Sequence, residues 1–189
     1  MKIGVLALQG DFIEHIVVLR RLGIEAVEVR LPQELKKLSG LIIPGGESTT
    51  IGKLAANYGL LSPLRNFAAT GAIWGTCAGM ILMAKEVGVA QPLLGLMDIK
   101  VQRNAFGRQK ESFKADLKVR VLNEGESKPF PGVFIRAPKI IGVSGKARVI
   151  ADLADGTAVA AQEGRWLVTA FHPELTNDDR FHQYFVSLI

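Results

Sequence analysis

The chain has 189 residues, one ordinary domain's length, enough to bury roughly 70% of its unfolded surface without a disulfide or metal staple. Hydrophobic residues at 48% and charged residues at 22% exclude disorder, and the one cysteine, Cys77, excludes internal disulfides and a zinc site built on cysteine alone. The net charge of +5 is scattered, with no run of five like charges and only 7% aromatics, which leaves no basic stripe or stacking platform for nucleic acid.

Met1-Lys2 leads straight into an apolar run too short for a secretory signal. Lys2 to Leu8 reads as a buried strand because it is almost continuously apolar. Asp11 is a plausible N-cap for a helix through Leu22, with Ile13, Ile16, Val17 and Arg20 near the helical period and Gly23 as the stop. Glu25 to Val29 is a second strand, Leu31 to Leu38 a short helix and Leu41 to Ile43 a third strand. After Pro44-Gly45-Gly46 come helical segments near Thr50 to Asn57 and Pro63 to Ala69, then a strand at Ala72 to Trp74 and a helix over Ala78 to Ala84. Asn66 to Ala84 is an uncharged stretch of 19 residues that imitates a membrane span, but Gly71 and Gly75 break it into strand, turn and helix. A cytoplasmic location with a reduced thiol is expected.

Strand-helix alternation at this spacing implies an α/β fold, a mostly parallel sheet with helices on both faces. The second half is strand-rich: Ile99 to Val101, Phe113 to Leu122, Val133 to Arg136 and Ile140 to Ile150. Ala158 to Gln162 and Trp166 to Ala170 follow, joined by a hairpin at Glu163-Gly164-Arg165, and Phe181 to Leu188 closes as a helix. These are antiparallel-leaning additions, and nothing marks a boundary within 1–189.

Gly75-Thr76-Cys77-Ala78-Gly79 lies between a predicted strand and a predicted helix, the context of a nucleophile elbow. Free N–H groups at the helix start favour an anionic sulfur there. The bland alternative is a small core residue between two packing glycines. His172-Pro173-Glu174 follows a predicted strand; residues i and i+2 of an extended stretch point the same way, so Glu174 is placed to orient the His172 imidazole. Its alternative is a surface turn. His15 and His182 fall in predicted helices without a comparable neighbour and read as structural or exposed. Pro44-Gly45-Gly46-Glu47-Ser48-Thr49 can bring backbone N–H groups up to a developing oxyanion, or be a plain turn. Its likeness to a phosphate loop fails, because the glycine spacing is one residue too long and Leu54 stands where Ser or Thr should be. Arg103 and Arg136, in or beside strands, could clamp a carboxylate or stand free in solvent.

Together these segments resemble the class I, triad-type glutamine amidotransferases. Leu8-Gln9-Gly10-Asp11, Pro44 to Thr50, Gly75 to Met80, Arg103 to Gln109, Phe134 to Pro138 and His172-Pro173-Glu174 are similar to the glutaminase subunits of pyridoxal 5'-phosphate synthases. The resemblance covers essentially the whole chain and implies a flavodoxin-like three-layer sandwich forming one glutaminase domain. It further implies Cys77 as nucleophile, His172 as general base and acid, and Glu174 as orienting carboxylate. Gly46 and Ala78 would supply the oxyanion hole, and Gly46, Glu47, Ser48, Arg103, Ile135 and Arg136 would hold L-glutamine. The implied partner is a (β/α)₈-barrel synthase in a large hetero-oligomer, with Gln9 near the interface and an oxyanion loop that rearranges on docking. No metal or organic cofactor, nucleic acid or membrane is implied. An amidotransferase for another acceptor, a γ-glutamyl hydrolase and a non-catalytic regulatory subunit are the competing readings.

Overall fold

The computed structural model describes residues 1–106, 112–125 and 127–189, so Gly107-Arg108-Gln109 of the segment quoted above lies outside the described residues. The first half runs β1 (Lys2–Leu6), α1 (Phe12–Arg21), β2 (Glu25–Val29), β3 (Gly40–Ile43), α2 (Ser48–Asn57), α3 (Leu61–Ala68), β4 (Ala72–Thr76) and α4 (Ala78–Met83). The second half adds β5 (Ala84–Glu86), β6 (Met97–Gln102), β7 (Ser112–Leu117), β8 (Phe130–Ile135), β9 (Lys139–Val143) and β10 (Arg148–Asp152). It closes with β11 (Ala158–Glu163), β12 (Trp166–Thr169) and α5 (Arg180–Ser187).

One sheet has the order β2-β1-β3-β4-β12-β11-β9-β6-β5, with β10 also paired to β11, and β7-β8 form a separate hairpin. Pairing is parallel from β2 across to β12 and antiparallel from β12 to β6, an α/β fold with the expected antiparallel extension. β3 and β4 are buried at every residue, because each lies inside the sheet with both faces covered; their unbroken apolar runs have this cause. The Trp74 ring on β4 packs against Phe181 and Phe185 of α5, and the buried apolar side chains form one contiguous cluster. No helix among the described residues is long and apolar enough to cross a membrane, and the uncharged stretch over Asn66 to Ala84 is the end of α3, β4 and α4.

Several expectations need correction. Ile140 to Ile150 is two strands, because Ser144 and Gly145 (φ +57°) turn the chain between β9 and β10. The strand expected over Phe113 to Leu122 ends at Leu117, and β5 was not foreseen. α1 does not bury Ile13 and Val17, which are exposed; its inward face is His15, Ile16, Val18 and Leu19. Asp11 stands at the N-cap of α1, yet its side chain makes no capping bond. By contrast the hairpin formed as expected, with Glu163 opposite Trp166 across Gly164 (φ +58°).

Candidate active site

Cys77 sits between the end of β4 and the start of α4 at φ 47° and ψ −99°, a backbone shape costing on the order of 1–3 kcal/mol for a residue with a side chain. Its N–H donates to Thr169 O on β12 at 2.7 Å, which pins the turn to the neighbouring strand. The flanking glycines are steric requirements. A Cβ on Gly75 would come 2.5 Å from the carbonyl carbon of Gly79, and one on Gly79 would come 2.1 Å from Ile43 O. The turn therefore presses α4 onto β3 and β4 and lifts Cys77 Sγ toward Ile135 O, 4.0 Å away.

His172 follows β12 and is fixed by its N–H to Val133 O at 2.8 Å. Its Nδ1 lies 2.7 Å from Glu174 Oε1, the orientation read from the i, i+2 spacing, and both side chains are buried. Burial alone would strip the proton from His172; hydrogen bonds and charge from Cys77 and Glu174 outweigh it and push the pKa up to about 10. Glu174 itself is pushed upward by burial, with His172 opposing. The arrangement that follows is an imidazolium between the Cys77 sulfur and a carboxylate. Asp11, raised by burial and lowered in turn by His172, places Oδ2 3.5 Å from His172 Nδ1. Its carboxylate serves the cleft and not the helix.

The Gly-Gly loop closes the floor. A Cβ on Gly45 would sit 2.3 Å from His172 Cε1, so only glycine lets the imidazole approach. Gly46 has φ +151°, Gly45 O accepts the Asp11 N–H at 3.1 Å, and Gln9 Oε1 accepts the Glu47 N–H at 2.8 Å. Glu47 N-caps α2 through the N–H groups of Thr49 and Thr50. Burial raises the Glu47 carboxyl, but hydrogen bonds from Thr50 and Thr49 prevail and leave it below its ordinary range. Arg103, just past β6, pairs with Glu47 Oε1 at 3.1 Å and donates to Gln91 Oε1 at 2.9 Å, and Ser48 Oγ donates to the same Gln91 oxygen at 3.2 Å.

Gln9, Gly46, Glu47, Ser48, Cys77, Arg103, Ile135, Arg136 and His172 all line one cleft of about 510 Å³. Ala78, the next residue after Cys77, opens α4. Arg136, at φ 42°, is exposed and has no hydrogen bond or ion pair among the described residues. The cleft lies where β1, β3, β4 and β12 end, at the carboxyl edge of the parallel strands. A shallower depression of about 640 Å³ by Gly71 and Arg165 has neither a cysteine nor a histidine in its lining. Asp11, His172 and Glu174 also offer one ligand atom each within 4.8 Å of one another. His172 Nδ1 is already committed to Glu174 there, so the trio reads as acid–base machinery before it reads as a cation site.

Two groups escaped the sequence. Gln91 lies in an irregular segment with no motif, and only the side chains it joins reveal it. His15 and His182, read as without comparable neighbours, are fully buried, their ring nitrogens 3.0 Å apart, and His15 Nε2 is 3.4 Å from Glu174 Oε2. The inward face of α1 was the available signal.

A family model described as SNO glutamine amidotransferase family matches residues 5–189. The chain belongs to the SNO glutamine amidotransferase family. Among its relatives, "Pyridoxal 5'-phosphate synthase subunit PdxT" of Herpetosiphon aurantiacus is 56% identical over the full length of both chains. The protein of the same name from Dehalococcoides mccartyi is 57% identical, covering 100% of this chain and 97% of that one. A solved "glutamine amidotransferase" superposes with a TM-score of 0.92 at 50% identity, over 98% of this chain and 97% of that one. "PurLQS from Thermotoga maritima" matches at a TM-score of 0.74 and 16% identity, over 98% and 97% of the two chains, which speaks for the fold alone. The SNO family membership and the cleft geometry thus point to the same chemistry.

Proposed function

We propose that this chain hydrolyses L-glutamine to L-glutamate and ammonia and delivers the ammonia to a synthase partner that makes pyridoxal 5'-phosphate. The observation that carries the reading is Cys77 on a strained turn, facing a buried His172 whose other side is held by Glu174. The Cys77 sulfur attacks the side-chain amide carbon of glutamine, and the oxyanion is held by the backbone N–H groups of Gly46 and Ala78. Ala78 opens α4, so its N–H has no acceptor within the helix. Each such donor lowers the barrier by roughly 3–4 kcal/mol. The His172 imidazolium gives its proton to the departing amine, which leaves as ammonia. Neutral His172 then takes a proton from water as the hydroxyl attacks the γ-glutamyl thioester; the thiolate departs and glutamate is released.

Glu47, Ser48, Arg103, Ile135 and Arg136 hold the amino-acid end of glutamine. A cationic Arg103 and exposed Arg136 suit the α-carboxylate, and Glu47 with backbone carbonyls suits the ammonium. The synthase partner is a (β/α)₈ barrel in a large hetero-oligomer, and the relatives' names support a synthase assembly. Gln9 supports a link between that interface and the chemistry, because it holds the Glu47 N–H and abuts Gly46. The whole chain acts as one domain in the cytoplasm, where its lone thiol stays reduced.

The test is Cys77→Ala in the full chain mixed with a candidate synthase, following glutamate release and pyridoxal phosphate together. Loss of both products with partner binding retained is expected, and undiminished ammonia release would overturn the mechanism. Glutamine hydrolysis stimulated by a synthase that makes no pyridoxal phosphate would redirect the reading to another acceptor.

A further inference from the structure

The chain has three histidines, and the fold gathers all of them around one carboxylate. Glu174 has a fully buried side chain with two distinct oxygens. Oε1 meets His172 Nδ1 at 2.7 Å, whereas Oε2 is sealed from solvent with His15 Nε2 3.4 Å away as its only polar neighbour among the described ion pairs. A buried carboxylate oxygen left without a donor carries a full desolvation cost, so the identity of the group aimed at Oε2 matters.

The rest of the cluster dictates which proton His15 carries. His15 Nδ1 and His182 Nε2 are 3.0 Å apart, and one must donate to the other. His15 Nε2 makes a hydrogen bond with Thr76 Oγ1 at 3.3 Å and also lies 3.4 Å from Glu174 Oε2, which has no hydrogen-bond partner. Only if His182 donates from Nε2 does His15 hold its proton on Nε2, where the carboxylate can accept it. The buried His182 Nδ1, which has no partner, is then the bare nitrogen of that ring. The alternative tautomer lets Thr76 Oγ1 donate to His15 Nε2 but sets a ring lone pair against Glu174 Oε2, which then has no donor facing it.

The rings cannot turn to escape this pattern. His15 and His182 both meet the Trp74 ring edge-on, with centroids 5.5 Å and 4.8 Å away, and His182 lies within the same packed layer as Phe181 and Phe185. Ionisable groups around the cluster are His172 and Asp11 on the cleft side, and Asp179 with its Arg21 partner behind His182. Burial, first, and the neighbouring histidines hold His15 well below its ordinary range, and burial holds His182 at about 3, so both rings are neutral at physiological pH.

We infer that His15, set in its tautomer by His182, is a positioning residue for glutamine hydrolysis: its Nε2–H, 3.4 Å from the otherwise unpartnered second oxygen of Glu174, favours the ionised carboxylate and keeps it aimed at His172. The inference rests on the glutaminase reading and deepens it, since it adds a neutral donor behind the triad. A neutral imidazole suits the task. A cation there would compete with His172 for the charge of Glu174, while an apolar residue would leave Oε2 bare and favour a protonated carboxyl that no longer orients the imidazole.

The experiment compares the full chain with His15→Gln, whose amide N–H reaches the place of the imidazole Nε2–H, and His15→Leu, which has no donor. Glutamine hydrolysis with the synthase partner and alkylation of Cys77 by iodoacetamide are both followed against pH. His15→Leu is expected to lower kcat about tenfold or more, the scale of one hydrogen bond to a charged group, with KM within about twofold and a displaced pH profile for Cys77 alkylation. His15→Gln should recover most of kcat and the wild-type profile. A His15→Leu enzyme with wild-type kcat and profile, or equal losses in both variants, overturns the inference. Should His15→Leu fail to fold, ring ¹⁵N shifts of the wild-type chain decide: a neutral His15 protonated on Nε2 is required, and an Nδ1–H or doubly protonated ring overturns it. A wild-type chain that hydrolyses no glutamine even with its partner would refute the glutaminase reading itself, which the ring shifts do not test.

Discussion

At the scale of single residues, the three histidines pull the stability of the protein in opposite directions with pH. His172 has a folded pKa of about 10 against an ordinary 6.5, so the stabilisation from its proton is complete below about 6.5 and fades as the pH climbs toward 10. His15 and His182 are held below 6.5, His182 at about 3, so their contribution is complete above 6.5 and is lost as acid forces protons onto buried rings. Urea unfolding from pH 4 to 10 should therefore give greatest stability near pH 6–7. His172→Gln should flatten the alkaline side and leave the acid side. An alkaline decline that persists unchanged in His172→Gln would show that another group causes it.

Among the elements, α4 needs Gly79 because there the helix lies directly on the backbone of β3. Gly79→Ala would drive a methyl to 2.1 Å from Ile43 O, within the grip of the turn that shapes Cys77. Overpacking of this kind costs about 1–3 kcal/mol, and the lost stability should appear in denaturant unfolding together with a fall in kcat as Cys77 shifts. Stability and activity both within error of wild type would mean that α4 can move away freely. The same interior burial explains what could be read from the sequence. β1, β3 and β4 were legible because covered strands are continuously apolar, and the elbow because its glycines are sterically obligatory. β9 and β10 were not, since partly exposed strands either side of a short turn lose alternation and fuse into one run. α1 misled by carrying Ile13 and Val17 on its exposed face while hiding His15, a polar residue whose partners come from β4, α5 and the segment after β12. Gln91 had no legible signal, since its role exists only through side chains distant in sequence.

Across the whole molecule, the cleft is a seam between the parallel half, which brings Cys77, the Gly-Gly loop and Glu47, and the antiparallel extension, which brings Arg103 and, through the β7-β8 hairpin, Ile135 and Arg136. Arg103 ties the seam together through Glu47, Thr49 and Gln91. On the binding role proposed above, Arg103→Ala should raise KM for glutamine about tenfold or more and change kcat much less, since that role is a clamp on the non-reacting end of the substrate. Steady-state kinetics check this, and a pure kcat effect would place Arg103 in the chemical step instead.

The place of β12 between β4 and β11 bears on how the protein comes into being. Because β12 is late in sequence but central in the sheet, a growing chain on the ribosome exposes Cys77, the proposed nucleophile, long before Thr169 O can pin the turn or His172 and Glu174 arrive. At ordinary rates of translation that interval is on the order of ten seconds. Throughout it the nascent chain carries a cysteine with no acid, base or shaped elbow. Glutamine in the surrounding cell is therefore safe from unproductive cleavage until synthesis is almost finished.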